Sequence, residues 1–308
     1  MILCCGEALI DMIPAPTATG QEAYVPRPGG AVLNTAVALG RLGARTGMLT
    51  GLSRDMFGQT LKDHLTQSDV DIAQIIWSDR PTTLAFVQLR GGQASYVFYD
   101  ENSAGRMLDI ADIPALPVEV STLFMGGISL ACEPGADSYC ALLAREGAGR
   151  VVMLDPNIRP GFIEDEARYR QRLDQMLAQA DIVKLSDEDL AWLVPEPQQL
   201  EGKVAQLMPK GISILLLTRG EAGATGFLAD GSRVDIEAIA AKLADTVGAG
   251  DTFNAGVLAK LSELGCLSKS QLQSLAPQAL QEALQYGAQA AAVTVSRIGA
   301  DPPWAEEL

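Results

Sequence analysis

The 308-residue chain predicts an α/β protein organised around a mainly parallel sheet, on two observations. Its short apolar runs are continuous, the pattern of strands covered on both faces, and segments of helical period separate them. That alternation of strand and helix is the signature of βα units, whose ligands collect at the C-terminal ends of the strands.

Taken in order, "MILCCGEAL" reads as the first buried strand, and "NTAVALGRL" (34–42) carries the first helical period. "TGMLTGLS" (46–53) reads as one strand, followed later by "STLFMGG", "RVVMLDP", "DIVKLS" and "ISILLLT". "ARYRQRLDQMLAQA" and "LQEALQYGAQAAAVTV" read as helices. The alternation breaks at 82–101, "TTLAFVQLRGGQASYVFYDE", which reads as two strands around a Gly91-Gly92 turn. With the Pro-rich stretch after the first strand it predicts a small discontinuous β lid, from about 12–28 and 80–106, on one domain spanning 1–308.

Composition narrows the function. A net charge of −15 opposes binding to nucleic acid or an anionic membrane, so the expected partner is a small molecule. The N-terminus meets Glu7 and Asp11 within its apolar start, so neither a signal peptide nor a membrane span is expected and the location expected is cytoplasmic. Five cysteines without C-x-x-C spacing argue against a disulfide framework and a zinc site. The only histidine, His64, lies in a stretch of mixed polarity expected to be a solvated helix face, which leaves base chemistry to a carboxylate, lysine or cysteine.

Neither a P-loop nor a G-x-G-x-x-G fingerprint is present, which weighs against P-loop NTPases and NAD-dependent oxidoreductases. The phosphate device that remains is "DTVGAGDTFNAG" (245–256). Gly248, Ala249 and Gly250 precede a helical pattern, where unpaired N–H groups and the positive end of a helix dipole receive an oxyanion, and Asp251 follows at once. The dipole is expected to keep Asp251 ionised at neutral pH. Upstream, "RPGGAVLNTAVALGRLGA" (27–44) places Gly30 before a helix and Asn34 at its start, where a carboxamide can serve hydroxyl groups. Asp11 is a cap or a hydroxyl acceptor.

Together "GGAVLNTAVALGRLGA" and "DTVGAGDTFNAG" resemble the two signature regions of the ribokinase-like, PfkB-type carbohydrate kinases, and the likeness runs over nearly the whole chain. "GEALIDMIP", "FYDENSAGRML", "LDPNIRP", "KLSDEDL" and "TRGEAGA" resemble the fructokinase members in the expected order. The resemblance implies a ribokinase-like, Rossmann-type three-layer fold with a β lid, and ATP-dependent phosphorylation of a sugar hydroxyl, D-fructose to fructose 6-phosphate.

It further implies Asp251 as base, Gly248, Ala249 and Gly250 as anion hole, and Asp11, Gly30, Asn34 and Arg159 as sugar contacts. Ser186, Thr218, Gly220, Gly223 and Ala288 would line the nucleotide, whose Mg2+ would be met through water by Asp189. Ser186 and Asp189 stand where the family often has Asn-x-x-Glu. A K+ site would be formed near Asp245, Val247, Thr294, Arg297 and Gly299. Separately from the resemblance, exposed lid strands able to pair between subunits lead to the expectation of a homodimer through the lid. A 2-keto-3-deoxygluconate kinase and a non-catalytic sugar-binding regulator stand as alternatives. Asp100 and Glu101 at the pocket mouth are expected to repel a carboxylated sugar, with Arg106 the cation that keeps that alternative open.

Overall fold

The computed structural model describes residues 1–90 and 93–308; the Gly91-Gly92 turn expected from sequence lies outside the described residues. β1 (Ile2–Cys5) opens the chain, and β2 (Leu9–Pro16) and β3 (Glu22–Gly29) form a hairpin ahead of α1 (Ala31–Arg41). β4 (Thr46–Leu49), β5 (Gly51–Ser53), α2 (Met56–Gln67), β6 (Val70–Asp71) and β7 (Ile76–Ser78) lead to the pair β8 (Leu84–Arg90) and β9 (Gln93–Tyr99). Strands and helices then alternate through β10 (Thr122–Gly126), α3 (Gly135–Glu146), β11 (Val151–Asp155), α4 (Glu166–Leu177), β12 (Ile182–Ser186), α5 (Asp187–Leu193), α6 (Leu200–Leu207) and β13 (Ile214–Thr218). The hairpin β14 (Ala224–Leu228) and β15 (Arg233–Ile236) precedes α7 (Ala249–Glu263), α8 (Lys269–Gln273) and α9 (Pro277–Val295).

A nine-stranded sheet in the order β15-β14-β13-β12-β11-β10-β1-β4-β6 forms the middle layer. It is parallel from β6 to β13 and antiparallel only in the edge hairpin. Alternate residues of each strand feed two separate cores, as the two-residue repeat of a strand requires. Ile2 and Cys4 face the core under α1, α2, α7 and α9, while Leu3 and Cys5 face the one under α3 and α4. The strand order reverses beside β1, whose neighbours are β4 on one side and β10 on the other, and such a reversal opens a ligand crevice at the strands' C-terminal ends.

A second sheet, in the order β3-β2-β8-β9, is built from two segments separated in the chain. Pro26 and Pro28 lie on its edge strand β3, where a missing N–H disturbs a ladder least.

Two details depart from the sequence reading. "TGMLTGLS" is two strands: β4 joins the large sheet while β5 pairs with β7, and the break falls at Thr50, whose carbonyl accepts from Ile76 N at 2.9 Å. The β14–β15 hairpin was not anticipated, although Asp230-Gly231 between the strands, with Gly231 at φ 89°, is a recognisable hairpin turn signal.

α7 is buried nearly all round and crosses α9 at contact distance, so the usual one-sided apolar stripe is absent from it. A β-carbon on Gly256 would lie 2.6 Å from Gly287 Cα, so the crossing needs glycine. Gly256→Ala should therefore destabilise the fold by about 1–3 kcal/mol through overpacking, read as a lower thermal midpoint. An unchanged midpoint would show that the two helices can separate without cost.

Candidate active site

The C-terminal ends of the parallel strands β1, β10, β11, β12 and β13 share one edge of the sheet, and the starts of α1 and α7 meet through Asn34 and Asp251. At the start of α7, Gly248 adopts φ 79°, a left-handed conformation suited to glycine, and the helix runs on from Ala249. Asp251 lies in the first turn and is 8% exposed. Asn34, one turn into α1, donates from Nδ2 to Asp251 Oδ2 at 2.9 Å, which joins the two sequence signatures side chain to side chain.

Burial pushes the Asp251 carboxyl up from the usual 3.8 to about 7; Asp155 and Glu7 push the same way, against Asn34 and Lys184. This corrects the expectation that the helix dipole keeps Asp251 ionised. The dipole contributes roughly 0.3–1 kcal/mol, whereas a rise of this size corresponds to about 4 kcal/mol, so loss of solvent decides the outcome.

Gly30 caps α1 at φ 108°, and a side chain there would press on Glu7 O at 3.1 Å. Asp11, on β2, faces Gly29, whose β-carbon would lie 2.0 Å from Asp11 Oδ2, and burial raises the Asp11 carboxyl to about 6. Arg159 is exposed and donates to Ile158 O at 3.1 Å. Arg159, Asp11 and Asp245 are all close enough to Tyr96, on β9, to act on its hydroxyl, which draws these loops and the smaller sheet toward one opening.

Four residues that carry the geometry were not singled out from sequence. Glu7 clips the start of α1 to the loop after β10, accepting from Ala31 N at 3.0 Å, Ser129 N at 3.2 Å and Ser129 Oγ at 2.6 Å. Asp155, at the end of β11, accepts from Lys184 Nζ at 3.1 Å and Asn254 Nδ2 at 2.7 Å, all of them buried. The available signal was a lysine inside the buried run "DIVKLS", where an apolar residue would serve packing better.

On the other side of the crevice, Thr218 ends β13, and Gly220 and Gly223 bend the following turn at φ 52° and 81°. A β-carbon on Gly223 would meet Ile236 O at 2.1 Å, so this turn packs against the segment after β15. Ala288 is half-buried on α9. Ser186 caps α5 and, with Asp189, forms a reciprocal capping box.

Asp189 is 3% exposed, and both its carboxylate oxygens are engaged: Oδ1 with Ile158 N at 2.7 Å, Oδ2 with Ser186 N and Oγ at 3.0 and 2.7 Å. This geometry lends no support to the magnesium role expected of it. Among the described residues no group of three or more His, Cys, Asp or Glu is placed to hold a metal ion.

The segments expected to hold K+ do meet. Asp245 accepts from Val247 N at 3.1 Å and Gly299 N at 2.9 Å, Thr294 O accepts from Arg297 N at 3.0 Å, and Gly248 packs against Ala300. Arg106 is not the free cation considered from sequence: it pairs with Asp100 at 3.1 Å and Glu164 at 3.0 Å. Asp100, paired in this way and 8% exposed, is in turn no free repelling charge.

The family model for pfkB family carbohydrate kinases matches residues 1–307. The chain is 47% identical over 281 residues to a fructokinase of Rhizobium leguminosarum bv. trifolii, covering 91% of this chain and 86% of the relative. A fructokinase of Xylella fastidiosa solved with bound ATP superposes with a TM-score of 0.89 at 28% identity, covering 97% of this chain and 93% of that one. A double mutant of Vibrio cholerae O395 fructokinase, solved with fructose, ADP and a potassium ion, superposes at 0.82 with 26% identity over 97% and 93% of the two chains. Among the described residues no helix is long and apolar enough to cross a membrane.

The titration of Asp251 can be tested without any substrate. The folded state keeps this proton up to about pH 7, whereas an unfolded aspartate releases it near 3.8. Between those values the folded state binds more protons, so the Asp251 contribution to stability is complete at low pH and is lost as pH rises. Asp251→Asn should thus gain on the parent between pH 4 and 8, by on the order of a few kcal/mol at pH 8, in urea unfolding. A difference independent of pH would mean the carboxyl titrates normally.

Proposed function

Because the chain belongs to the pfkB family of carbohydrate kinases, we propose that it transfers the γ-phosphoryl group of ATP to the O6 hydroxyl of D-fructose, giving fructose 6-phosphate and ADP. The observation that carries this reading is the buried Asp251, held by Asn34 directly behind the Gly248-Ala249-Gly250 helix start. Similarity to a fructokinase of Rhizobium leguminosarum and to a fructokinase solved with fructose supports fructose as the sugar.

In this reading Asp251 accepts the O6 proton as O6 attacks the γ-phosphorus, and the bond from that phosphorus to the β,γ-bridging oxygen breaks to release ADP. Asn34 keeps one carboxylate oxygen occupied and leaves the other to face the sugar. Backbone N–H groups at the start of α7 receive the phosphoryl oxygens, and such donors act most strongly in a crevice that excludes water. A base poised near pH 7 is ionised often enough to work and basic enough to take the proton. Asp11 and Gly30 serve the other sugar hydroxyls, and Arg159 the phosphate. Ser186, Thr218, Gly220, Gly223 and Ala288 border the nucleotide. Exposed Ile239 and Leu243, just beyond the segment against which Gly223 packs, offer apolar surface for its base.

K+ bound by backbone oxygens around Asp245, Val247, Thr294, Arg297 and Gly299 would supply fixed positive charge behind the Gly248–Gly250 loop. The 2-keto-3-deoxygluconate alternative requires a free cation in the pocket to meet the sugar's carboxylate. Its rank below fructose follows from Arg106, whose charge is already met by Asp100 and Glu164. The cytoplasm is the compartment this reading assigns.

ADP release should be measured with MgATP and a panel of sugars, in K+ and in a bulky organic cation at equal ionic strength. Fructose should give the highest kcat/KM, K+ should raise the rate, and Asp251→Asn should lower kcat by roughly 10²–10⁴, the usual contribution of a general base. Preference for the acid sugar would replace fructose while leaving the kinase reading intact, and a near-normal Asp251→Asn would remove the base.

The smaller sheet exposes Ile13, Tyr24, Val25, Tyr96, Val97 and Tyr99, apolar surface that a second copy of the chain would cover. Light scattering at micromolar concentration should report a dimer, weakened by Tyr24→Asp; a monomer would leave these side chains to sugar enclosure alone.

A further inference from the structure

Lys184 is 5% exposed, on the face of β12 that looks toward α7. Its only ion-pair partner among the described residues is Asp155, itself 2% exposed, and Asn254, fully buried, binds the same Asp155 oxygen. The cluster is costly to the fold: Asp155 Oδ1 and Asn254 Oδ1 are both buried without a hydrogen-bond partner. A buried ion pair seldom stabilises a fold more than apolar side chains of equal volume would. Folding therefore gives little reason for this trio, and its location gives another. A β-carbon on Gly250 would lie 3.2 Å from Lys184 Nζ, so the ammonium rests against the loop that forms the helix start of the site.

We propose that Lys184 is a positioning residue for phosphoryl transfer: paired with Asp155, it holds a positive charge beneath Gly250 that offsets the carboxylates buried around Asp251. This rests on the kinase reading above. The groups facing Asp251 can be named from each element around it. α1 supplies the Asn34 amide and the Thr35 hydroxyl, the turn after β1 supplies Glu7, β11 supplies Asp155 and β12 supplies Lys184. α9 supplies Thr294, which meets Thr252 at 3.0 Å and carries no charge. Lys184 is thus the cation in a ring of carboxylates. Burial alone would lower its own affinity for a proton, yet Asp155, Asp189 and Asp251 together raise it, which keeps the ammonium charged.

Removing the cation and removing its partner must then act on Asp251 in opposite directions. With the whole chain labelled by 13C at aspartate carboxyls and no substrate present, the signal lost in Asp251→Asn identifies the base. Lys184→Met should raise its titration midpoint by about 1 pH unit or more, the scale set by a charge within a few ångströms. Asp155→Asn should lower it by about as much, and the double variant should return close to the parent. The acid limb of kcat/KM on fructose should follow each midpoint.

Midpoints that stay put in the single variants, or a double variant displaced as far as Lys184→Met, would overturn the proposal. If Lys184→Met does not fold, Asp155→Asn and the double variant decide alone. The titration requires no sugar or nucleotide. A parent that releases no ADP with any sugar would therefore defeat the kinase reading while the charge coupling is read independently.

Discussion

Removal of the Asp251 carboxyl from water is the constraint on which the rest of the site depends. A carboxylate at an exposed helix start would titrate near its ordinary value and would be a poor base at neutral pH. Here it is enclosed because α7 lies between α1 and α9, and each of those contacts has its own requirement. The α9 contact needs Gly256 and Gly287 where the helices cross. The α1 contact needs Asn34 to meet the carboxylate and Glu7 to hold the first turn of α1 in place. Disturbing either would readmit water and lower the affinity of Asp251 for its proton.

The buried carboxylates fall into two kinds when their hydrogen bonds are compared. Glu7 and Asp189 each accept from two or more groups of the chain, among them backbone N–H groups distant in sequence. Their chemistry is thereby complete, and they act as clips that give the crevice its shape. Asp251 accepts one side-chain hydrogen bond, and Asp155 keeps one oxygen without a partner. Unfilled acceptor capacity in a buried carboxylate is costly unless a ligand or a reaction uses it. Asp189 shows the value of the distinction. Its two oxygens are engaged by the capping box of α5 and by Ile158 N.

The parts legible in the sequence are those whose logic is local. Continuous apolar runs identify buried strands wherever they lie, and the glycines before Asp251 mark the helix start that follows them. The split of β4 from β5 is not local, since it depends on which strand each half finds as a neighbour. Glu7 was illegible for the same reason: its partners Ala31 and Ser129 lie 24 and 122 positions away, and a glutamate after a strand reads as ordinary surface. Lys184 left a trace as a charge in an apolar run, but its meaning required Asp155, 29 positions before it. The ionisation of Asp251 was misjudged because a sequence displays the helix start, whose effect is small, and conceals the burial, whose effect is large.

A chain of net charge −15 that receives a triphosphate must overcome its own field locally. Screening makes this possible, because exposed charges more than about 8–10 Å apart in physiological salt hardly interact. In the proposed reading, what the phosphates meet is then set by groups within a few ångströms: the backbone donors of α7, Arg159 and Lys184 behind Gly250. Lys184 is little screened because it is buried, and the α7 donors, half-buried, have directions fixed by the helix start. The acidic remainder of the surface does not cancel them. It raises the penalty for anions that bind elsewhere on the surface, so the choice of place falls to fixed local donors and cations rather than to the net charge.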